Sequence, residues 1–207
     1  MPKSTRAMVL AMPLLVIAVA SIAMMMTNRG GDEPPVFVDT ATGVQDQLPE
    51  HVPAEAPAGF GSGMVLRIGG ADAQVDPVHL AGSTLLPPTD ISRLGWYAAS
   101  PLPGVDGAGS TVITGHINDA SQGDGYAAKF TTLSVGDEIT VAVDGAPHIY
   151  RVSQAPAMAS KSGPMPEVVN DATGDSRLVL ITCGGEYVGG ATGYADNILV
   201  VAEPVRA

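Results

Sequence analysis

Cysteine is nearly missing from this sequence: Cys183 is the one example in 207 residues. An intramolecular disulfide is therefore excluded. In an oxidising exterior, paired cysteines are the ordinary staple of a small domain, and their absence leaves two accounts of the one thiol. It is a small buried hydrophobe, as Cys outside disulfides often is, or it is kept for its reactivity. Positive charge is also scarce beyond the N-terminus. All 21 acidic residues follow position 30, whereas Lys3, Arg6 and Arg29, of ten basic residues, precede it. So acidic a surface repels phosphate backbones, which argues against nucleic acid as a partner. No internal repeat is visible. Helical patterning past residue 30 is confined to one short candidate, "GYAAKFTTL", residues 125–133.

What is abundant is hydrophobicity near the start. Residues 8–26, "MVLAMPLLVIAVASIAMMM", hold no charge and one polar side chain, Ser21. At about 1.5 Å rise per residue such a helix spans roughly 28 Å, close to the hydrocarbon thickness of a bilayer. It is expected to be a membrane anchor. Lys3 and Arg6 before it and the acidic residues after it put residues 1–7 in the cytoplasm and the remainder outside. A cleaved signal peptide is the alternative, because "AVAS" at 18–21 offers an A-x-A-like site. The apolar run continues past that site to Met26, which favours the anchor. Residues 27–63 are acidic and rich in Pro, Gly and Ala, and are expected to be a flexible linker. A coil of that length has an end-to-end distance on the order of 30 Å, enough to hold the domain 64–207 clear of the headgroups.

After Gly63 the pattern is strand-like. Apolar or alternating runs recur at "MVLRI" (64–68), "STVITG" (110–115), "DEITVAV" (137–143), "HIYRVSQ" (148–154), "RLVLITC" (177–183) and "NILVVAE" (197–203), separated by Gly, Pro, Asp and Asn. They predict a mainly β domain, closed or nearly closed, with little helix. "RLVLIT" and "NILVVA" are apolar on both faces, which places them inside the sheet. "DGAPH", 144–148, is read as a hairpin connection in which Asp-Gly supplies the positive φ of a tight turn.

Four histidines are available: His51 in the linker, His79, His116 and His148. His116 closes "STVITGH" and opens the polar loop "INDASQGDG", where a sheet commonly presents a functional side chain on a rigid base. Cys183 has the same grammar, ending a strand before Gly184 and Gly185, which are expected to leave its sulfur uncovered. A thiol attacks a carbonyl as the thiolate, and a nearby imidazole is the usual means of moving its proton. Whether the two meet across 67 residues is not given by spacing. A catalytic pair and two unrelated loop residues both remain open at this level.

The elements "VITGHIND", "FTTLSVGDEITV", "HIYRV", "LVLITCGGEY" and "YADNILVVA", in this order, resemble the sortases of Gram-positive bacteria, most closely the class F group of actinobacteria, over roughly residues 64–203. The T-C-G-G element after a hydrophobic strand, with T-G-H upstream, carries the specificity. The resemblance implies a closed eight-stranded β-barrel with one or two short helices and a membrane-anchored cysteine transpeptidase. It implies that Cys183 attacks the threonyl carbonyl of an LPXTG-like sorting motif and forms a thioester, and that His116 serves as general acid and then base. Thr182, Gly184 and Asn197 are the expected oxyanion and substrate-positioning residues. The implied partners are an LPXTG-type secreted protein and an amine from peptidoglycan or another surface protein. No metal or organic cofactor is implied.

One departure matters. Such sortases carry an arginine at the start of the last strand, in a pattern like Y-R-D-N, and here "GYADN" puts Ala195 at that place. Losing one oxyanion donor typically costs about 2.7–4 kcal/mol in the barrier. Three accounts are open: backbone N–H groups or Asn197 take over, Arg67 or Arg93 reaches the site, or the chain is a weak or inactive sortase-fold protein that binds peptide without turnover. Arg206 is the only arginine after Cys183. Arg177 is set aside, since six strand residues hold it roughly 20 Å from Cys183. "LLPPTD", 85–90, imitates a sorting motif, but Asp90 stands where Gly belongs. It is read as a proline-shaped turn leading to "RLGWY", with Trp96 in the core. "GDG", 123–125, is too short for a phosphate loop. Asp119, Asp124 and Glu186 are read as solvated loop acids before a calcium site, and His148 as structural.

Overall fold

The computed structural model describes residues 48–56, 60, 63–190 and 192–206. The expected tail 1–7 and anchor 8–26 lie outside them, as does most of the expected linker. Among the described residues no helix is long and apolar enough to cross a membrane. The described part of the linker is not free of the domain. Its strand β1 (Val52–Pro53) pairs with residues 78–79, and Phe60 stacks on Trp96 with ring centroids 5.7 Å apart.

Period-two burial explains the strands that follow. In β2 (Met64–Ile68) Met64, Leu66 and Ile68 are buried and Arg67 is exposed. β3 (Ala71–Ala81) returns antiparallel to it, pairing Ala71–Val75 with β2. The sequence reading did not find β3, because Pro77, Asp72 and Asp76 interrupt the apolar pattern. The structure shows why the proline is tolerated: it stands beyond the stretch paired with β2, where β3 changes partners and no ladder donor is needed from it. The short β4 (Thr84–Leu85) folds back on β3, and β5 (Leu94–Tyr97) runs parallel to it.

β6 (Ala108–Thr114) leads to a small ribbon of β7 (Asn118–Asp119) and β8 (Gly123–Asp124), and then to a 3-10 helix, Tyr126–Thr132, in place of the expected helix over 125–133. β9 (Glu138–Val143) and β10 (Ala146–Ser160) form the expected hairpin. Asp144 at φ 51° and Gly145 at φ 80° make its two-residue turn. A single helical turn, α1 (Glu167–Asn170), precedes the long central strands β11 (Gly174–Gly189) and β12 (Gly193–Pro204).

The strand order β3-β2-β9-β10-β12-β11-β6-β5 closes on itself through the parallel β5–β3 pair, giving the eight-stranded barrel. Its interior is filled by side chains that include Met64, Leu66, Trp96, Phe130, Tyr150 and Leu180. A second cluster, with Val112, Val169, Val179, Ile181 and Leu199, covers the opposite face of the same sheet. Two-sided burial is thus the reason β11 and β12 read as apolar without alternation. Tyr126 ties the 3-10 helix to the β2–β3 hairpin: its hydroxyl accepts from Ile68 N–H at 3.0 Å and donates to Ala71 O at 2.7 Å.

Candidate active site

β6 and β11 lie side by side and parallel, with Thr114 opposite Ile181 as the last paired residues. Two bonds carry the register further: Gly115 N–H donates to Ile181 O at 3.1 Å, and Thr182 Oγ1 donates to Gly115 O at 2.8 Å. The next step brings the backbone of His116 alongside that of Cys183, on strands spaced about 4.8 Å apart. Alternation sets the face. Val112 on β6 and Val179 and Ile181 on β11 belong to the outer cluster, and residues an even number of positions further along, His116 and Cys183, fall on the same side. Asn197 stands directly opposite Cys183 on β12 and shares that side with Leu199. The separation of 67 residues is closed by a parallel crossover that spacing alone does not disclose.

Two local devices hold these strand ends. Gly125 packs against the loop so closely that a Cβ there would overlap the His116 carbonyl oxygen, and Gly125 N–H donates to Ile117 O at 2.8 Å. Gly185 adopts φ 75°, and a Cβ would collide with the Asp196 carboxylate. Both positions therefore require glycine. Thr182 commits its hydroxyl to Gly115, so it positions the end of β6 and is not an oxyanion donor through that group.

Asp119 corrects the reading of the loop acids. It is only 6 % exposed. Its Oδ1 accepts from Ser121 Oγ at 2.5 Å, Ser121 N–H at 2.9 Å and Gln122 N–H at 3.0 Å. The Ser121 hydroxyl first, then these backbone donors and the attraction of His116, hold its carboxyl below the usual range. Asn118, beside it, donates through Nδ2 to the Tyr194 hydroxyl at 2.9 Å, which ties the loop after His116 to β12.

Cys183 is 0 % exposed, as is His116. The expectation of an uncovered sulfur was wrong, and a cation lies against it. Lys161, just past β10, donates from Nζ to Cys183 Sγ at 3.1 Å and to Thr192 O at 3.2 Å. The buried thiol thus has an ammonium against it.

A sortase-domain family model matches residues 67–205. The chain belongs to the sortase family. Among solved structures it is similar to sortase A from Corynebacterium diphtheriae, with 26 % identity and a TM-score of 0.50, covering 70 % of this chain and 60 % of that one. This chain thus spans less than two thirds of the length of that structure. Sortase C-1 from Actinomyces oris, at 19 % identity and TM-score 0.53, covers 70 % of this chain and 74 % of that one. Sortase C1 from Streptococcus agalactiae, also at 19 % and 0.53, covers 74 % and 72 %. These last two show the fold. No match was found among the curated proteins.

The arginines considered for this sortase site are occupied elsewhere. Arg67 forms a two-pronged ion pair with Asp72, Arg93 with Asp76, and Arg177 bonds Asp171 at 3.1 Å. Sequence reasoning looked for a guanidinium and passed over Lys161. The available signal was a lone basic residue in "ASKSGP", the only one between Arg151 and Arg177. His79 is exposed on β3, and the His148 ring packs over Gly104, so neither joins the site. Among the described residues no group of His, Cys, Asp and Glu side chains is placed to hold a metal ion.

Proposed function

We propose that this sortase-family chain is a cysteine transpeptidase of the class F type, which cleaves an LPXTG-like sorting motif after Thr and transfers the acyl group to an amine of the cell wall or of a partner protein. Cys183, as the thiolate, attacks the threonyl carbonyl. The tetrahedral intermediate collapses to a thioester as His116 protonates the departing amine of the following residue. His116 then takes a proton from the incoming amine, whose attack on the thioester releases Cys183. Gly184 and Asn197 are assigned to oxyanion binding and substrate positioning. The proposal includes a single-pass anchor at residues 8–26 with the barrel outside the cell, which rests on the uncharged run and the charge asymmetry around it.

The observation that best supports this reading is the β6–β11 register, which aligns the ends of the two strands that carry His116 and Cys183 on one face of the sheet. Incubation with an LPXTG-type peptide and hydroxylamine or a glycine amine tests it. Amine adducts are expected. Acid alone would indicate a hydrolase, and neither product would indicate a peptide-binding protein of sortase fold. Cys183→Ala is expected to abolish adduct formation; adducts that persist would remove Cys183 from the nucleophile's role.

A further inference from the structure

Lys161 reaches the sulfur from two strands away. β10 pairs with β12, with Ser160 opposite Asp196, so the next residue stands abreast of Ala195, and Lys161 N–H donates to Ala195 O at 3.0 Å. β12 in turn pairs with β11, with Asn197 opposite Cys183. Ala159, two residues before Lys161, belongs to the outer cluster, so Lys161 rises from β10 on the same face as Asn197 and Cys183. Its side chain crosses β12, where the small Ala195 stands abreast of it, and places Nζ at 3.1 Å from Sγ. The Thr192 carbonyl, at 3.2 Å, holds the ammonium at its far end.

We propose that Lys161 is the cationic catalytic residue of this site: it stabilises the Cys183 thiolate before attack and the oxyanion after it, and so supplies from β10 the charge that Ala195 does not supply from β12. This rests on the transpeptidase reading above. The chemistry balances without any further group. The Sγ lone pair forms the C–S bond, the carbonyl π pair moves to oxygen, and negative charge leaves the sulfur for an atom two bonds away. An ammonium held at the sulfur needs only a small side-chain displacement to follow that charge. Lys161 keeps its proton throughout, and the proton given to the departing amine comes from His116. An ammonium beside a thiol favours the thiolate by plain Coulombic attraction, which is strengthened where water is excluded. The other charged or titratable groups on the nearby parts of the elements packed here are His116 after β6, Asp119 on β7, Glu186 and Tyr187 on β11, and Tyr194 and Asp196 on β12, the Asp196 carboxylate lying against Gly185.

The test is the rate of Cys183 alkylation by iodoacetamide as a function of pH, measured on the full chain and on Lys161→Met and Lys161→Arg, together with peptide transfer to a glycine amine. Lys161→Met is expected to move the midpoint of the alkylation profile upward by about 1–3 units. It is expected to lower kcat for transfer by about 100- to 1000-fold, with KM little changed. Lys161→Arg is expected to keep the wild-type midpoint, and adding Ala195→Arg to Lys161→Met is expected to restore part of kcat. A lysine that merely covers the sulfur behaves differently: its removal would raise alkylation at every pH and leave the midpoint in place, and that result would overturn the proposal. So would transfer by Lys161→Met at the wild-type rate. Should the wild type transfer no peptide while the midpoint still moves, the transpeptidase reading fails and the thiolate-stabilising role of Lys161 stands.

Discussion

At the scale of single residues, the charges around the thiol divide into those fixed by near neighbours and those brought from afar. Asp119 is of the first kind, since its Oδ1 accepts from Ser121 and Gln122, two and three residues on. Its carboxyl is held below the usual range, so the unfolded chain takes up a proton at a higher pH than the folded one. The contribution of Asp119 is therefore complete above the ordinary carboxylate value of about 3.9 and is lost as pH falls through the depressed value. Asp119→Asn is expected to cost about 1 kcal/mol near neutral pH, a gap that closes on acidification. Urea unfolding of both proteins at neutral pH and near pH 3 measures it, and a gap that persists in acid would refute the depressed carboxyl. The same division decides what was legible in the sequence. Cys183 ends a recognisable strand before glycine and His116 follows one after glycine, so local grammar picked them out. Lys161 did not stand out, because its meaning depends on the pairing of Ser160 with Asp196 across β10 and β12.

At the scale of elements, strands whose burial alternates or whose faces are both apolar were read within a few residues, as in β2, β9 and the centre of β11. β10 was read only over 148–154, yet it runs to Ser160. Its second half, "APAMAS", is largely exposed, contains Pro156 and follows register shifts between Val152 and Ala157, so no hydrophobic signal marked it. That unread half carries the chain to Lys161. The 3-10 helix was visible in outline, but its anchor was not. Tyr126 is fixed by polar contacts with Ile68 and Ala71, residues far away in the chain. Tyr126→Phe leaves that N–H and carbonyl without the hydroxyl and is expected to destabilise the fold by about 1–3 kcal/mol. Burial pushes the Tyr126 phenol up to about 12. The folded state thus holds this proton more tightly than the unfolded chain, and the contribution is complete below pH 10, falling as pH rises towards 12. The stability difference between wild type and Tyr126→Phe is expected to narrow over that alkaline interval, as followed by urea midpoints. A constant difference would show that the hydroxyl is not sequestered.

At the scale of the whole molecule, closure depends on pairings that no local pattern announces: β3 with β5 and β6 with β11, both parallel. The first completes the ring and the second aligns the ends of the strands carrying His116 and Cys183, so the architecture and the site share one topological cause. Closure also recruits residues that composition had consigned to the linker. β1 pairs with β3, Ala54 N–H donates to Pro77 O at 3.0 Å, and Phe60 lies on the indole of Trp96, a member of the barrel's interior cluster. A stacked aromatic pair contributes about 0.5–1.5 kcal/mol beyond its buried area, and the β1 bonds add to it. A chain starting at residue 48 is therefore expected to melt roughly 5 °C above one starting at residue 64, taking about 2–4 °C per kcal/mol for a domain of this size. Phe60→Ala in the longer chain should recover a large part of that difference. Equal melting temperatures for the two chains would return residues 48–63 to the role of a passive linker.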